Sequence, residues 1–422
     1  MNTNAHELSV SRQLKHDGLI LFSTRIVRLF AYGFLSVVLA LYLAQIGLSE
    51  SAVGGLFTLT LLGDAGISLW VTTSADRIGR KRMLLLSSGL MIFAGAAFAL
   101  TGNFIALTVA AIVGVISPSG NEIGPFLSIE QAALTQIVRS EQRTRVFAWY
   151  NLVGSLATAT GSLASGALAQ VLQARGHTPL ESYRVIVFVY AAIGFALVVL
   201  FGRLSSGVEA PRAKEARGKL GLHRSRRVVF RLSALFAFDA FAGGFIVQSL
   251  VAYWFQIRWG VQPATLGSVF FAANILAGVS ALSAARIASR IGLINTMVCT
   301  HIPSNLLLIL VPLMPSLPLA ITVLLARFSI SQMDVPTRQS YTMAVVDPDE
   351  RSAASGVTTI ARSLGAAWSP WLTGILLQSS FLSVPFYISG SLKIVYDLLV
   401  YRDFRALKPP EERISALSAS QR

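Results

Sequence analysis

Apolar segments long enough to cross a lipid bilayer recur along the whole chain of 422 residues. A hydrocarbon core about 30 Å thick requires roughly 20 apolar residues in a helix. Only 13% of the residues are charged, against about 25% in soluble domains. Uniform apolar length without alternation favours helices over barrel strands. The sequence therefore predicts an all-α membrane protein with twelve transmembrane helices, at 18–46, 52–73, 83–101, 104–138, 146–171, 184–204, 229–257, 265–285, 295–313, 318–344, 354–378 and 385–401.

Basic residues are concentrated on one side of the predicted membrane. Of the 35 Lys and Arg residues, 26 fall in the even-numbered loops and the two tails, whereas three fall on the opposite side. This asymmetry is the positive-inside signal, and it predicts that both termini are cytoplasmic. It also explains the net charge of +15, so nucleic-acid binding is not expected. We expect a monomeric, multi-pass protein of the inner (plasma) membrane, in contact with the lipid bilayer.

The sequence does not favour an enzyme. Cys299 is the only cysteine, so a disulfide framework or a thiolate metal site within one chain is not expected. We find no nucleophile motif or phosphate-binding loop, and we expect no metal and no cofactor. The sequence also lacks a large soluble insert that could house an ATPase, so energy for transport would come from gradients.

An internal repeat covers most of the chain. The segment Asp76-Arg77-Ile78-Gly79-Arg80-Lys81-Arg82 is followed 213 positions later by a shorter copy, Ser289-Arg290-Ile291-Gly292. Further along, Gln131 aligns with Gln339 at an offset of 208, so the first copy holds about five extra residues near its fourth segment. The repeat predicts two six-helix halves, 1–204 and 229–422, joined by a basic cytoplasmic linker at 205–228.

Two parallel six-helix halves joined by a basic loop resemble the major facilitator superfamily. Thr72-x-x-x-Asp76-Arg77-x-Gly79-Arg80-Lys81 is similar to that family's signature between its second and third helices, with Thr72 in place of the usual Gly. The resemblance implies a secondary transporter that opens a central cavity to alternate sides. It also implies a conformational latch, in which Asp76 faces the start of the eleventh helix. The residues of this predicted latch are Asp76, Arg77, Gly79, Arg80 and Arg362. A purely topological role of the loop charges is the alternative.

Ionisable residues inside the predicted helices are candidates for function, because each costs roughly 2.5–3.5 kcal/mol on insertion scales. The resemblance places helices one, four, seven and ten around the cavity. The candidates for a substrate or proton pathway are Arg28, Asp64, Asn121, Glu122, Glu130, Asp239, Asp334 and Arg338. Pairing between opposite charges is the structural alternative for each of them. Asp334 and Arg338 are predicted to pair along one helix. Glu130 and Arg338 occupy equivalent repeat positions with opposite charge, and we predict that they form a charge gate.

The fourth predicted helix contains two prolines and two glycines within Pro118-Ser119-Gly120-Asn121-Glu122-Ile123-Gly124-Pro125. Proline removes a backbone donor and glycine lowers helical preference, so a break is expected. Interrupted helices point to a transporter's binding site, which favours Asn121 and Glu122 for contact with substrate or proton. An external loop followed by a helix from about Gly124 is the alternative.

The sequence favours a secondary active transporter that exports a small organic compound in exchange for protons, as an antiporter. One alternative is proton-coupled or facilitated uptake of an organic anion, which Arg28 and Arg338 would attract. Another is a membrane sensor or lipid-handling protein that moves no solute.

Overall fold

A computed structural model describes residues 3–121, 126–138, 143–209, 223–347 and 350–407. These ranges are almost entirely helical and contain no β-strand, which confirms the predicted all-α class. The helices are α1 (Thr3–Ser36), α2 (Leu39–Gln45), α3 (Glu50–Ile78), α4 (Arg80–Leu100), α5 (Phe104–Val113), α6 (Phe126–Ile137), α7 (Arg143–Ala174), α8 (Pro179–Gly202), α9 (Arg226–Gly244), α10 (Gln248–Trp259), α11 (Pro263–Ile291), α12 (Leu293–Leu310), α13 (Leu317–Phe328), α14 (Asp334–Val345), α15 (Arg351–Gln378) and α16 (Val384–Phe404). Short 3₁₀ helices lie at Ser206–Val208 and Val311–Leu313.

Helix starts follow from capping side chains. The hydroxyl of Ser49 accepts a hydrogen bond from the backbone N–H of Ala52 at the start of α3. Thr178 and Glu181 form a reciprocal capping box at the start of α8. Such caps satisfy backbone donors that a helix leaves free in its first turn. They fix where two of the predicted segments begin.

Eight helical stretches in the described ranges are long and apolar enough to cross a membrane. They correspond to predicted segments one, two, three and five to nine. Segments eleven and twelve are the long helices α15 and α16, which carry charged residues within their length. Segments four and ten are each made of two shorter helices, α5 with α6 and α13 with α14. Every predicted segment therefore has a helical counterpart.

The interrupted segments are the first, fourth, seventh and tenth. Within the described residues their breaks lie at 37–38, 114–121, 245–247 and 329–333. In the fourth segment α5 ends at Val113 and α6 begins at Phe126, with residues 122–125 outside the described part of the chain. Twelve residues of α6 span only about 18 Å, which is too short to cross the bilayer alone. The fourth segment is therefore interrupted, as expected, and the choice between a broken helix and an external loop stays a prediction.

The chain forms two compact units. Unit 1 comprises Met1–Ala216 with Gln248–Phe271, and unit 2 comprises Arg217–Val247 with Ala272–Arg422. In unit 1, α1 packs on α7 and α4 on α8; in unit 2, α9 packs on α15 and α12 on α16. These units group residues by contact, whereas the predicted halves 1–204 and 229–422 describe the sequence repeat and stay a prediction.

Glycine allows the closest helix crossing in each unit. A Cβ atom at Gly161 of α7 would lie 2.1 Å from the carbonyl oxygen of Phe30 on α1. A Cβ atom at Gly365 of α15 would lie 2.2 Å from the carbonyl oxygen of Ala237 on α9. Membrane helices commonly approach through small residues in this way. The crossings bring the polar residues of α1 and α9 close to those of their neighbours.

Candidate transport site

Unit 1 holds a buried ion pair between Arg28 of α1 and Glu130 of α6. The two guanidinium nitrogens donate to the two carboxylate oxygens at 2.7 and 2.6 Å. Both side chains have an exposed fraction of 0%. This fork-to-fork geometry is the strongest form of an arginine–carboxylate contact. Two of the predicted pathway residues are therefore paired with each other.

Further contacts saturate this carboxylate. The hydroxyl of Thr24 donates to Glu130 Oε1 at 2.8 Å, and the hydroxyl of Tyr150 donates to Glu130 Oε2. The Arg28 guanidinium carbon lies 4.7 Å from the ring centre of Phe126. We call Arg28, Glu130, Thr24 and Tyr150 the unit 1 pair. Its members satisfy one another, as a buried charge requires.

Unit 2 holds a different arrangement, in which one carboxylate contacts three cations. Asp239 Oδ1 of α9 lies 2.6 Å from Lys393 Nζ of α16. Asp239 Oδ2 lies 3.2 Å from Arg338 of α14 and 3.0 Å from Arg362 of α15. Arg338 also contacts Asp334 at 2.9 Å, which confirms the predicted pair along α14. We call Asp239, Arg338, Arg362, Lys393 and Asp334 the unit 2 cluster.

The members of the unit 2 cluster differ in accessibility. The side chains of Asp239, Arg338 and Lys393 are exposed by 3, 7 and 10%. The side chain of Arg362 is exposed by 34%. Arg327, a buried residue at the end of α13, interacts electrostatically with Asp334, and its Nε atom lacks a hydrogen-bond partner among the described residues. The cluster thus has one accessible cation, Arg362.

A third polar group joins α12 and α16, and the candidates chosen from the sequence did not include it. His301 Nδ1 lies 2.8 Å from Asp397 Oδ1. Asn305 donates through Nδ2 to Asp397 Oδ2 at 3.3 Å. Two spacings of four residues, His301 to Asn305 and Lys393 to Asp397, place each pair on one helix face. These spacings were the feature of the sequence from which this polar group could have been predicted.

The other predicted pathway residues are not members of these groups. Asp64 lies on α3, where Ser68 donates to it at 3.3 Å one turn later. Asn121 is exposed, and its carbonyl oxygen accepts from Ser117. Glu122 lies outside the described residues. The predicted charge gate between Glu130 and Arg338 stays a prediction, since each residue has partners in its own unit.

The structure describes the predicted latch only in part. The side chain of Asp76 lies outside the described part of the structure, and Arg77 is exposed. Arg362 lies eleven residues into α15, about 16 Å from its start. About three helical turns therefore separate Arg362 from the start of α15 at Arg351. The latch itself stays a prediction.

The charged loop of the signature is bound to the start of the linker. Gly79 has a φ of +114°, which favours glycine, and a Cβ atom there would lie 3.3 Å from Glu209 Oε1. Glu209 accepts from the backbone N–H of Arg80 at 2.6 Å, at the first turn of α4. The side chain of Arg80 donates to Gln136 at 2.5 Å. A carboxylate at a helix start is stabilised by the helix dipole.

Glu350 holds the other end of the linker in unit 2. It accepts from the backbone N–H groups of His223, Arg224 and Ser225 at 2.6, 2.7 and 2.8 Å, at the start of α9. Burial opposes ionisation of Glu350, but these hydrogen bonds outweigh it and lower the pKa of Glu350 to about 2. The imidazole Nδ1 of His223 lies 2.6 Å from Glu350 Oε1. Carboxylates thus take part in the contacts at both ends of the linker, with Asp17 also accepting from the backbone N–H of Ser205 at the unit 1 end.

The start of α10 contacts the interruptions of the first and fourth segments within unit 1. Ser249 at the start of α10 donates through its hydroxyl to the backbone oxygens of Ser36 and Pro118, at 2.7 and 2.6 Å. Gln248 donates to the hydroxyl of Ser36 at 2.8 Å. Backbone released from helical pairing is therefore satisfied by neighbouring side chains, as membrane depth requires.

Comparisons with known proteins fit this arrangement. The profile of the Major Facilitator Superfamily matches residues 21–370 and 258–420. The chain is 30% identical to the Uncharacterized membrane protein YJR124C of Saccharomyces cerevisiae, covering 92% of this chain and 93% of that protein. It is 23% identical to the Multidrug efflux protein YfmO of Bacillus subtilis, covering 88% of each. The crystal structure of the nucleoside transporter NupG is 13% identical, covers 92% of this chain and 99% of that one, and gives a TM-score of 0.71.

The all-helical fold and the matching family profile agree with the predicted twelve-helix major facilitator fold of a multi-pass secondary transporter. The chain belongs to the Major Facilitator Superfamily. Members of this family bind small-molecule substrates, which directs attention to the ionisable groups inside the two units.

Proposed function

We propose that the protein carries a small organic anion across the membrane together with a proton. The observation that carries this proposal is the arrangement around Asp239, which contacts three cations, one of them accessible at 34% of its side chain. An anionic substrate is suited to this place because guanidinium groups bind carboxylate, sulfonate or phosphate oxygens in pairs. Arg362 is the residue we expect the substrate to contact first.

The charge balance of unit 2 supports an anionic substrate. The helices bring together the cations Arg327, Arg338, Arg362 and Lys393 and the carboxylates Asp239, Asp334 and Asp397. One positive charge is therefore not compensated by these carboxylates when His301 is neutral. Uncompensated charge at membrane depth is expensive, and a bound anion would neutralise it.

The same balance supports coupling to protons in the same direction as the anion. A proton bound within the cluster adds one positive charge and so strengthens anion binding. By thermodynamic reciprocity, the anion strengthens proton binding by the same factor. The two would then cross together, and an inward proton gradient would drive uptake. Proton-coupled uptake of an organic anion was the alternative in the sequence analysis, which favoured export.

Export by proton exchange is the second candidate, and one observation favours it. The relative YfmO, at 23% identity, is described as a multidrug efflux protein. An exchanger needs substrate and proton to compete for one site, which a cationic or neutral substrate on Asp239 would do. We also propose that the protein lies in the plasma membrane with both termini in the cytoplasm, from its charge asymmetry.

Proton movement in proteoliposomes distinguishes the two modes. Vesicles containing the purified protein and a trapped pH dye receive a panel of aromatic carboxylates and sulfonates from outside. Sulfonates stay ionised and do not cross as neutral acids, and vesicles without protein give the background. Acidification of the lumen supports joint transport of proton and anion. Alkalinisation supports exchange, and the absence of any flux would favour the sensor alternative.

Two arginine variants test the residue assignment. We expect Arg362→Gln to lower the initial rate of anion transport by about tenfold or more, which corresponds to ~1.4 kcal/mol. Arg402→Gln is the matched control, because that side chain is 72% exposed near the end of α16. Equal rates in both variants would contradict the proposed contact with Arg362.

A further inference from the structure

His301 and Asp397 form a buried acid–base pair one helical turn from the unit 2 cluster. His301 and Asp397 are exposed by 5% and 1%. Asp397 follows Lys393 by four residues on α16, so the two side chains are neighbours on one helix face. Lys393 in turn contacts Asp239 at 2.6 Å. A continuous series of ionisable groups therefore connects His301 to the proposed anion site.

The hydrogen bond to Asp397 determines which nitrogen of His301 can take a proton. An ionised carboxylate accepts, so Nδ1 of a neutral His301 carries the hydrogen and donates across 2.8 Å. Nε2 is then the basic nitrogen. Asn305, which donates to the same carboxylate, has a buried Oδ1 atom without a partner among the described residues. Buried polar atoms normally have a hydrogen-bond partner, and a water molecule would satisfy Asn305 Oδ1.

Other ionisable groups surround this pair. Tyr396 lies beside Asp397 on α16, with its ring centre 6.1 Å from that of His301. Asp239 and His301 interact electrostatically, as do Asp397 and Lys393. The helices α13, α14 and α16 that pack on α12 also carry Arg327, Asp334, Arg338, Tyr341 and Lys393. The pair is thus adjacent to cations on the side of Lys393 and Arg338.

We propose that His301 is the residue whose protonation couples proton movement to anion transport, with Asp397 as its positioning residue. The inference rests on the proposed anion transport and names its proton site. When His301 is neutral, Asp397 and Asp239 share Lys393. When Nε2 takes a proton from water, Asp397 is neutralised by the imidazolium. Lys393 then pairs with Asp239 alone, and Arg362 is released to bind the substrate anion.

Only a proton is transferred in this scheme, from water to Nε2 and back. The ion pairs exchange partners, and no covalent bond other than N–H changes. The proton and the anion favour the same arrangement of Lys393 and Arg362. A ligand shifts such an equilibrium only through its different affinity for the two arrangements, and here both ligands favour the arrangement in which Arg362 is released.

The test combines a spectroscopic and a transport measurement. Protein with isotope-labelled histidine is placed in lipid nanodiscs, and the ring signals of the five histidines are followed from about pH 5 to about pH 9. His301→Gln assigns the signal of His301 by its loss. We expect that signal to titrate, and its midpoint to move to higher pH when a transported aromatic sulfonate is added. The proposal would be overturned if the His301 signal did not titrate, or if its titration midpoint were the same with and without the sulfonate.

In proteoliposomes, His301→Gln should separate anion movement from proton movement. Glutamine keeps a hydrogen-bond donor but cannot bind a proton in this range. We expect proton flux reduced at least about tenfold. Sulfonate exchange should persist at the rate that the wild type shows when His301 is neutral, and it should no longer rise as the pH falls. His177→Gln is the control, because its side chain is 50% exposed beside Glu181. Unchanged proton flux in His301→Gln would contradict the assignment.

Two outcomes are kept apart by this design. If wild-type protein moves no anion while the His301 signal titrates, the proposed function fails and the proton-binding residue is still identified. If anion moves with protons while the His301 signal does not titrate, the transport proposal stands and this inference fails. Should His301→Gln not fold, His301→Asn supplies the assignment, and the titration of the wild-type protein alone decides.

Discussion

Each unit buries an ion pair between two interrupted segments, and the positive and negative residues exchange places between the units. In unit 1 an arginine of the first segment pairs with a glutamate of the fourth, Arg28 with Glu130. In unit 2 an aspartate of the seventh segment pairs with an arginine of the tenth, Asp239 with Arg338. Glu130 and Arg338 are 208 positions apart, the offset of the repeat. Equivalent helices therefore carry ion pairs with the charges exchanged.

The pairs differ in how completely they are satisfied. Glu130 meets one guanidinium and two hydroxyls, and both charged side chains are exposed by 0%. Asp239 meets three cations, of which Arg362 is partly exposed. Position 154 aligns with Arg362 at the offset of 208, and it is a glycine in unit 1. The difference supports our proposal that the unit 1 pair holds helices together, whereas the unit 2 cluster binds the substrate anion.

Removing the carboxylate of the unit 1 pair should have the largest effect. Glu130→Gln leaves the guanidinium of Arg28 buried without a countercharge. Breaking a buried ion pair in this way costs about 3–5 kcal/mol, and we expect a large fall in the thermal unfolding midpoint in detergent. The double variant Arg28→Met with Glu130→Gln should recover most of that loss. A single variant as stable as wild type would remove the contrast between the units.

The helix crossings should respond equally in the two units. Gly161→Ala and Gly365→Ala each place a Cβ atom within 2.1 or 2.2 Å of a backbone oxygen of the facing helix. Overpacking of this kind costs about 1–3 kcal/mol, measured as the change in unfolding midpoint. Gly89→Ala is the control, because a Cβ atom there meets nothing within 4 Å. A marked difference between Gly161→Ala and Gly365→Ala would show that the scaffold, as well as the charge, is asymmetric.

Asp239→Asn should affect transport more than stability. In this variant Arg338 keeps its contact with Asp334 at 2.9 Å, and Lys393, which loses its contact with Asp239, keeps the electrostatic interaction with Asp397. We therefore expect a smaller loss of stability than in Glu130→Gln. The ordered exchange of cation partners is lost, and proton-driven anion flux should fall by about tenfold or more, ~1.4 kcal/mol. The comparison is contradicted if Asp239→Asn unfolds the protein as severely as Glu130→Gln while transport by the remaining folded protein is normal.

The smallest effect concerns the linker anchor of unit 2. The pKa of Glu350 is lowered from 4.5 to about 2, so its contribution to stability is complete above about pH 4.5 and is lost as the pH falls toward 2. The difference in unfolding midpoint between wild type and Glu350→Gln should therefore be greatest near neutral pH and shrink below about pH 4.5. A difference that is independent of pH would contradict this. Glu209→Gln provides the comparison at the unit 1 end of the linker.

Local patterns in the sequence were sufficient for much of the architecture. Segment length and composition predicted the twelve helices, because the bilayer imposes both on any chain that crosses it. Proline and glycine at 118–125 predicted the break of the fourth helix. The spacing of Asp334 and Arg338 predicted their contact, because residues four apart share a helix face. In each case the determining interaction lies within one helix or between a helix and the lipid.

Contacts between distant helices could not be obtained in the same way. Arg28 and Glu130 were both candidates for the pathway, yet their mutual pairing depends on how α1 crosses α6. Arg362 was assigned to a latch, but in the structure it contacts Asp239. His301 and Asp397 were overlooked as a pair because they are 96 positions apart. Charges can be placed on a helix from the sequence, but their partners depend on rotation and crossing.

The sequence by itself determined the membrane environment, the twelve-helix fold and the family, while the orientation of the helices stays a prediction. These properties follow from composition and from periodic patterns that act locally. Only the tertiary structure decided that the arginine of the first segment is neutralised while a lone aspartate in the seventh contacts three cations. The physical reason is that an ion pair forms between side chains within about 4 Å, and such distances are determined by helix packing.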